Sequence, residues 1–136
     1  AFDEKRETAR LLCDYILNEV PNHVDARVLK GRTLSWDGKY DLAEKEFLES
    51  IKRFPFYDDP YSALLDLYWW SNQEEKSILL VQKALKNKIK NPILTFKLAK
   101  AYDRLQQYES ANKVMDSLLV LYPKNQDYIK FKATLK

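Results

Sequence analysis

The 136-residue chain has one cysteine, one histidine, one methionine and two glycines. Cys13 alone can form neither an internal disulfide nor a cysteine-based zinc site, and His23 alone cannot supply a histidine metal cluster. No structural metal, catalytic metal or cofactor is encoded. Gly31 and Gly38 stand apart, with no Gly-Lys-Ser/Thr or GxGxxG pattern around them, which excludes the glycine loops that cradle nucleotide phosphates. No apolar run approaches the roughly 18 residues that a bilayer-spanning helix needs. Ala1 to Glu7 is charged where a signal peptide would be apolar, so any export signal is expected outside this chain. A lone thiol is tolerated in reducing and oxidising compartments alike and does not decide between them.

What is present is a globular composition: 46% hydrophobic, 13% aromatic and 32% charged residues, with a net charge of +3. Such a chain can bury a core and is not disordered. The cationic excess is too small and too spread for a nucleic-acid binder, although Lys83, Lys86, Lys88 and Lys90 concentrate charge locally. No nucleic-acid partner is expected.

Internal repetition organises the rest. Val20-Pro21, Phe54-Pro55, Asn91-Pro92 and Tyr122-Pro123 recur at intervals of 34, 37 and 31 residues. A step of 34 aligns Ala9, Ala43, Ser77 and Ala111, all small; Cys13, Phe47, Val81 and Met115, all apolar; Leu17, Ile51, Leu85 and Leu119, also apolar; and Gly38, Asn72 and Gln106, where a tight turn is needed. Within each unit the apolar residues recur at three and four, as in Tyr40, Ala43, Phe47, Ile51, which is one buried helical stripe. Asp37-Gly38 and Ser71-Asn72 are turn dipeptides whose second residue tolerates the left-handed conformation. The prolines are expected to close each trailing helix. These signals predict helices at 3–20, 24–36, 40–54, 59–71, 74–88, 92–105, 108–122 and 126–135. The expected organisation is one domain over 1–136: a partial repeat 1–23, repeats 24–57, 58–91 and 92–124, and a capping or next-repeat helix over 125–136 with Tyr128, Ile129 and Phe131 to bury. The first repeat would have lost a leading helix ending at Ala1-Phe2, as if the chain were cut from a longer protein.

Gly31, Leu34, Gly38, Tyr40, Ala43, Phe47 and Pro55, and again Leu98, Ala99, Tyr102, Tyr108, Ala111 and Pro123, resemble the signature of the tetratricopeptide repeat. The resemblance implies an all-α fold, a right-handed α-solenoid of helix-turn-helix repeats, in which small residues let paired helices approach. The repeat 58–91 departs from the pattern, with Glu74 for the turn Tyr, Ser77 for Ala and Ile89 for Pro, and is expected to pack less ideally. A narrower resemblance runs through Pro21 to Ala26, Val28 to Asp41, Asp66-Leu67 and Trp70 to Asn72: these blocks are similar to the N-terminal repeat region of YaiO-type outer-membrane β-barrel proteins. It implies a periplasmic, outer-membrane-associated domain whose only membrane connection is a barrel outside this chain; the alternative is a cytoplasmic assembly scaffold.

The family resemblance also implies where partners bind. Carried onto this chain, the concave face receives Val28, Arg32 and Trp36, with Asp25 and Ser35; Ser62, Asp66, Trp69 and Trp70, with Asp59; and Phe96, Lys100 and Arg104, with Ile93 and Asp103. Trp and Arg are frequent binding anchors, so a protein or peptide site centred on Trp36, Trp69 and Trp70 is expected, unless those rings fill helix seams. Arg32, Asp66 and Lys100 either grip a ligand or pair with one another. Val28, Ser62, Phe96, Arg32, Asp66 and Lys100 stand where a chaperone-tail carboxylate clamp has Lys and Asn, which disfavours that role.

No catalytic constellation stands out. Cys13 lies on an apolar ladder and His23 before a helix, so they read as core and loop residues; Asp58-Asp59 and Glu74-Glu75 read as acidic helix starts. The Tyr57, Tyr61, Tyr68, Trp69, Trp70 cluster packs helices or stacks on glycan rings. The expected function is a non-enzymatic protein or peptide interaction module, with a structural spacer, a cytosolic scaffold and a glycan binder as alternatives.

Overall fold

Among the described residues, side-chain caps open three of the helices, and left-handed residues or X-Pro pairs close all but the last. A computed structural model describes residues 2–136, and among these it has eight helices and no strand. They are α1 (Phe2–Glu19), α2 (Val24–Trp36), α3 (Tyr40–Arg53), α4 (Asp58–Trp70), α5 (Glu74–Lys86), α6 (Pro92–Arg104), α7 (Tyr108–Leu121) and α8 (Gln126–Thr134). Each lies within two residues of its sequence expectation. A leading helix ending at Ala1-Phe2 would fall on Ala1, outside the described residues.

Three helices begin on a side chain that accepts an orphan backbone N–H. His23 Nδ1 accepts from Ala26 N (3.1 Å) at α2, Asn91 Oδ1 from Ile93 N (3.0 Å) at α6, and Asn125 Oδ1 from Tyr128 N (3.1 Å) at α8. Nδ1 can accept only if its proton is on Nε2, which fixes the His23 tautomer. The ends fall into two classes. After α2, α4 and α6 the chain turns through Gly38 (φ 75°), Asn72 (φ 56°) and Gln106 (φ 60°). The next amide reaches back into the last helical turn, as in Lys39 N to Leu34 O (2.9 Å) and Gln107 N to Tyr102 O (2.9 Å), which satisfies carbonyls that the helix leaves open. α3 and α7 instead stop at Phe54 and Tyr122, the residues before Pro55 and Pro123.

α5 breaks the second rule. Pro92 does not close it but opens α6 at the first helical turn, where a missing N–H costs nothing. α5 ends two residues earlier than expected, through Lys88 at φ 60° with Ile89 N bonded to Ala84 O (3.0 Å). Ile89, which replaces the usual proline, is buried instead.

The chain clusters into two compact units, Ala1–Leu67 and Tyr68–Lys136, with the boundary inside α4 and hence inside the segment read as repeat 58–91. In the first, α1 packs on α2 and α2 on α3. Its core holds Cys13, Ala26, Leu34, Ala43, Phe47, Ile51, Tyr61 and Leu64. Gly31 is obligatory there: a Cβ would lie 2.4 Å from Cε1 of Phe47. In the second unit α5 packs on α6, α6 on α7 and α7 on α8. Ala99, Met115, Leu118 and Tyr128 form one cluster, edged by Phe96, Val114, Leu119 and Phe131.

The ladder of Cys13, Phe47, Val81 and Met115 is buried throughout, and so are Ala43, Ser77 and Ala111. Leu85 departs from its ladder: it is 50% exposed, because it sits in the last turn of α5 at the mouth of a crevice rather than under a neighbouring helix. Ile129 likewise stays exposed while Tyr128 and Phe131 on the same helix turn inward.

Candidate functional site

The first unit places Trp36 at the C-terminal end of α2, beside the start of α1. Its indole is 50% exposed and lines an open pocket of about 410 Å³ with Arg6, Glu7, Arg10, Asp37 and Lys39. Arg6 and Arg10 are four residues apart on α1 and so share a face. Both guanidinium groups bond the carboxylate of Asp37, the residue that ends α2. Arg10 also donates to Thr33 O (3.3 Å), a carbonyl of that last turn. The hydrogen bond from Arg10 holds the Asp37 carboxyl below its ordinary value, with Arg6 adding to it and burial opposing. One edge of the Trp36 pocket is therefore pre-organised before anything enters it.

Elsewhere on α2, Arg32 faces Asp66 (3.6 Å) and Asp59 (3.8 Å) of α4. At these lengths and exposures each pair is worth under about 1 kcal/mol and sets spacing more than stability. The Tyr57 hydroxyl donates to Asp25 (3.1 Å), and that bond pushes the phenol pKa upward. Ser62 is half-buried on α4. Two expected surface residues are not available: Val28 is only 3% exposed and belongs to the core, and Ser35 is buried with its Oγ lacking a hydrogen-bond partner. Both face the helices packed on α2, because that helix has neighbours on two sides.

In the second unit Arg104 is the organising side chain. Its guanidinium lies over the Trp69 ring, 3.1 Å from the centroid, and donates to Trp69 O (2.8 Å) and to Glu74 Oε1 (2.9 Å). Glu74 is buried at 7% exposure, so the substitution that breaks the repeat signature supplies the partner for a cation from the next helix pair. Glu74 and Ser77, two of the residues that depart from the repeat signature, are both buried, and Glu74 is tied down. Trp69 is thereby half-covered, whereas Trp70 keeps 48% of its surface exposed. Phe96 is corrected as a free contact residue. Its ring meets Tyr128 at 4.9 Å and Phe131 at 5.4 Å, both edge-on, and Lys100 Nζ caps it at 4.4 Å.

Sequence reasoning did not find Arg6, Arg10 and Lys39 around Trp36. The i,i+4 arginine pair on α1 was the available signal, but its target is an acid 27 to 31 residues away, which local spacing does not reveal. Among the described residues no group of three or more His, Cys, Asp or Glu is placed to hold a metal ion. Cys13 is buried and burial pushes its thiol pKa up, the opposite of an activated nucleophile.

Residues 95–125 match the family model of the tetratricopeptide repeat. No curated protein matches the chain. Among solved structures it is similar to the MamA RS-1 ArsTM double mutant, at 17% identity over 93% of this chain and 71% of that one, with a TM-score of 0.76. It is also similar to YrrB, a TPR protein with an unusual peptide-binding site, at 14% identity over 85% of this chain and 60% of that one (TM-score 0.69). A third is TTC0263, a thermophilic TPR protein in Thermus thermophilus, at 15% identity over 90% of this chain and 68% of that one (TM-score 0.73). At such identities the likeness is one of fold, and the chain has the all-α fold of tetratricopeptide-repeat solenoids.

Proposed function

We propose that the chain is a non-enzymatic interaction module that takes a protein or peptide segment, with Trp36 as an anchor. The observation that carries this is the half-exposed Trp36 indole on a pocket of about 410 Å³ one edge of which is fixed by the Arg6, Arg10, Asp37 triad. An aromatic surface beside a rigid charged wall can bury a partner side chain with little ordering cost. A peptide-binding site in YrrB, a protein of the same fold, supports the class of ligand. Arg32, Asp66 and Ser62 in the first unit, and Trp70, Lys100 and Arg104 in the second, are secondary contacts in this reading; Trp69 contributes through its stack with Arg104.

The test is capture of binding partners by the immobilised chain, comparing wild type with Trp36→Ala at matched circular dichroism. The expected result is a defined partner lost on substitution by roughly tenfold or more in affinity, as for interface tryptophans. A partner retained at full affinity by a folded Trp36→Ala chain would remove the anchor.

The compartment proposed with this function is the periplasm, in association with an outer-membrane barrel outside this chain. It is supported by the blocks at Pro21 to Ala26, Val28 to Asp41 and Trp70 to Asn72. Protease treatment of intact cells and of spheroplasts tests it: digestion only after outer-membrane removal is expected, and protection in spheroplasts would assign the cytoplasm.

A further inference from the structure

The small net charge of the chain conceals an asymmetry. Residues 1–67 carry ten Lys and Arg against fourteen Asp and Glu, a net −4; residues 68–136 carry thirteen against six, a net +7. In the first unit Arg6, Arg10, Arg27, Lys30, Arg32 and Arg53 all stand in ion pairs. In the second, Lys83, Lys86, Lys88 and Lys90 are exposed, and among the described residues none of the four has a carboxylate partner.

These lysines run from the last turns of α5 toward the start of α6, and an apolar crevice of about 330 Å³ opens beside the last of them, Lys90. Leu85, Pro92, Leu118, Leu121 and Tyr122 form its walls, with Thr95 among them and Lys90 on its lining. Leu85 and Leu121 are 50% and 71% exposed, large apolar side chains held at the surface at the ends of α5 and α7. The crevice is thus an apolar slot, of a size for one or two side chains, with the uncompensated cation Lys90 on its lining and Lys86 and Lys88 a few residues before it in the chain. It lies at the ends of α5 and α7, shares no residue with the Trp36 pocket and is independent of the function proposed above.

We propose that this slot docks an acidic peptide segment that carries a large apolar residue. The apolar residue enters between Leu85, Leu118 and Leu121, and flanking carboxylates meet Lys90 on the lining and Lys86 and Lys88 in the segment that leads to it. Charge complementarity selects the sign of the partner and steers its approach. The walls select its class. An aliphatic slot with one tyrosine offers no set of rings on which bases could stack, which disfavours single-stranded nucleic acid. A concave apolar floor contacts an inserted side chain better than the plane of a membrane, which a convex apolar face would suit.

The probe is a fluorescein-labelled ten-residue peptide of Asp and Glu with Leu-Phe at its centre, titrated against the whole chain and followed by anisotropy. A saturable signal with a dissociation constant on the order of 10–100 μM at about 50 mM salt is expected, weakening as salt rises. Replacing Leu-Phe by Ser-Ser in the peptide, or changing Lys86→Glu, Lys88→Glu and Lys90→Glu together, should each weaken it by roughly tenfold. Leu121→Ser, at an exposed position that leaves the fold intact, should weaken it by roughly fivefold. Several outcomes overturn the proposal. They are no saturable binding by a chain of native circular dichroism, equal binding of the Ser-Ser peptide, and binding unaffected by Leu121→Ser. Also decisive against it would be anionic phosphatidylglycerol vesicles, single-stranded oligonucleotide or a second copy of the chain competing for the same lysines more tightly than the peptide.

Discussion

Both units solve one packing problem, the close crossing of a leading helix over a trailing one, with different pairs of side chains. In the first unit Gly31 of α2 lies against the ring of Phe47 on α3. In the second, a step of 68 residues along the chain, Ala99 of α6 and Met115 of α7 share the same core cluster. Nothing opposite a large flat ring, and a methyl opposite a slim flexible chain, fill comparable space. The repeat keeps the volume of the pair rather than either residue, as close packing requires.

The strongest way to break that comparison is to move half of a pair. Gly31→Ala alone places a Cβ inside the Phe47 ring contact and is expected to cost about 2–3 kcal/mol in stability. The double variant Gly31→Ala, Phe47→Met imports the whole pair of the second unit and should recover most of that loss. Urea denaturation of the single and double variants measures both. A double variant no more stable than Gly31→Ala would show that the pair is not transferable, and that the ring of Phe47 is needed for contacts beyond Gly31.

The units also differ in how a turn is tied. Arg104 reaches the α4–α5 turn of the second unit through the Trp69 ring, Trp69 O and buried Glu74. Arg104→Ala leaves the Glu74 carboxylate buried beside no cation, at an expected cost of about 2 kcal/mol, reduced from the fully buried case by the partial exposure of Arg104. Adding Glu74→Gln to it should return about half of that cost, because the stranded charge is removed while the stack is not restored. Thermal denaturation of the single and double variants separates the two parts: the stability regained in the double variant measures the stranded charge, and the remaining loss measures the stack.

A third difference is at the left-handed turn residue. The first unit spends its glycine there, Gly38 at φ 75°, while the second forces Gln106 to φ 60° and Lys88 to φ 60°. Side chains other than Gly, Asn and Asp incur roughly 1 kcal/mol for that conformation. Gln106→Gly is therefore expected to stabilise the chain by about 0.5–1 kcal/mol and Gly38→Gln to destabilise it by a similar amount. A loss of stability in Gln106→Gly would mean that the Gln side chain makes up for its own strain.

The eight helices were legible because periodicity, turn dipeptides and proline spacing are local signals that agree with one another. The repeat step also located the turns at Gly38, Asn72 and Gln106, although the left-handed conformation was legible only at Gly38 and Asn72 and is forced on Gln106. Proline misled once: the same residue type can stop a helix or start one, and Asn91 before Pro92 is a cap, which its amide-accepting side chain allowed in advance. The proposed binding face was less legible. Family positions mark a side of the helix but not its depth, so Val28 and Phe96 fell on the expected side yet were already occupied by core neighbours. The wall of the Trp36 pocket depends on α1 meeting the end of α2, a long-range juxtaposition absent from any local pattern.

That juxtaposition yields the smallest effect and the one with a defined sign. Asp37 ties the α2–α3 turn of the first unit to α1 as Arg104 ties the α4–α5 turn of the second, but through a partly exposed carboxylate that titrates. Its pKa is lower in the folded chain than its ordinary value, chiefly through the Arg10 hydrogen bond, so the folded state holds its proton less tightly than the unfolded state. The stability contributed by the triad is complete above the ordinary carboxylate range and is lost as pH falls through it toward the lowered folded value. Asp37→Asn should therefore melt below wild type at neutral pH, and the gap should close on acidification. Gln106→Gly provides the control, since its effect is on backbone conformation and involves no titrating group. A gap between Asp37→Asn and wild type that stays constant from neutral pH down to about pH 3 would mean that the carboxylate acts by shape alone, as a hydrogen-bond acceptor that the amide cannot replace.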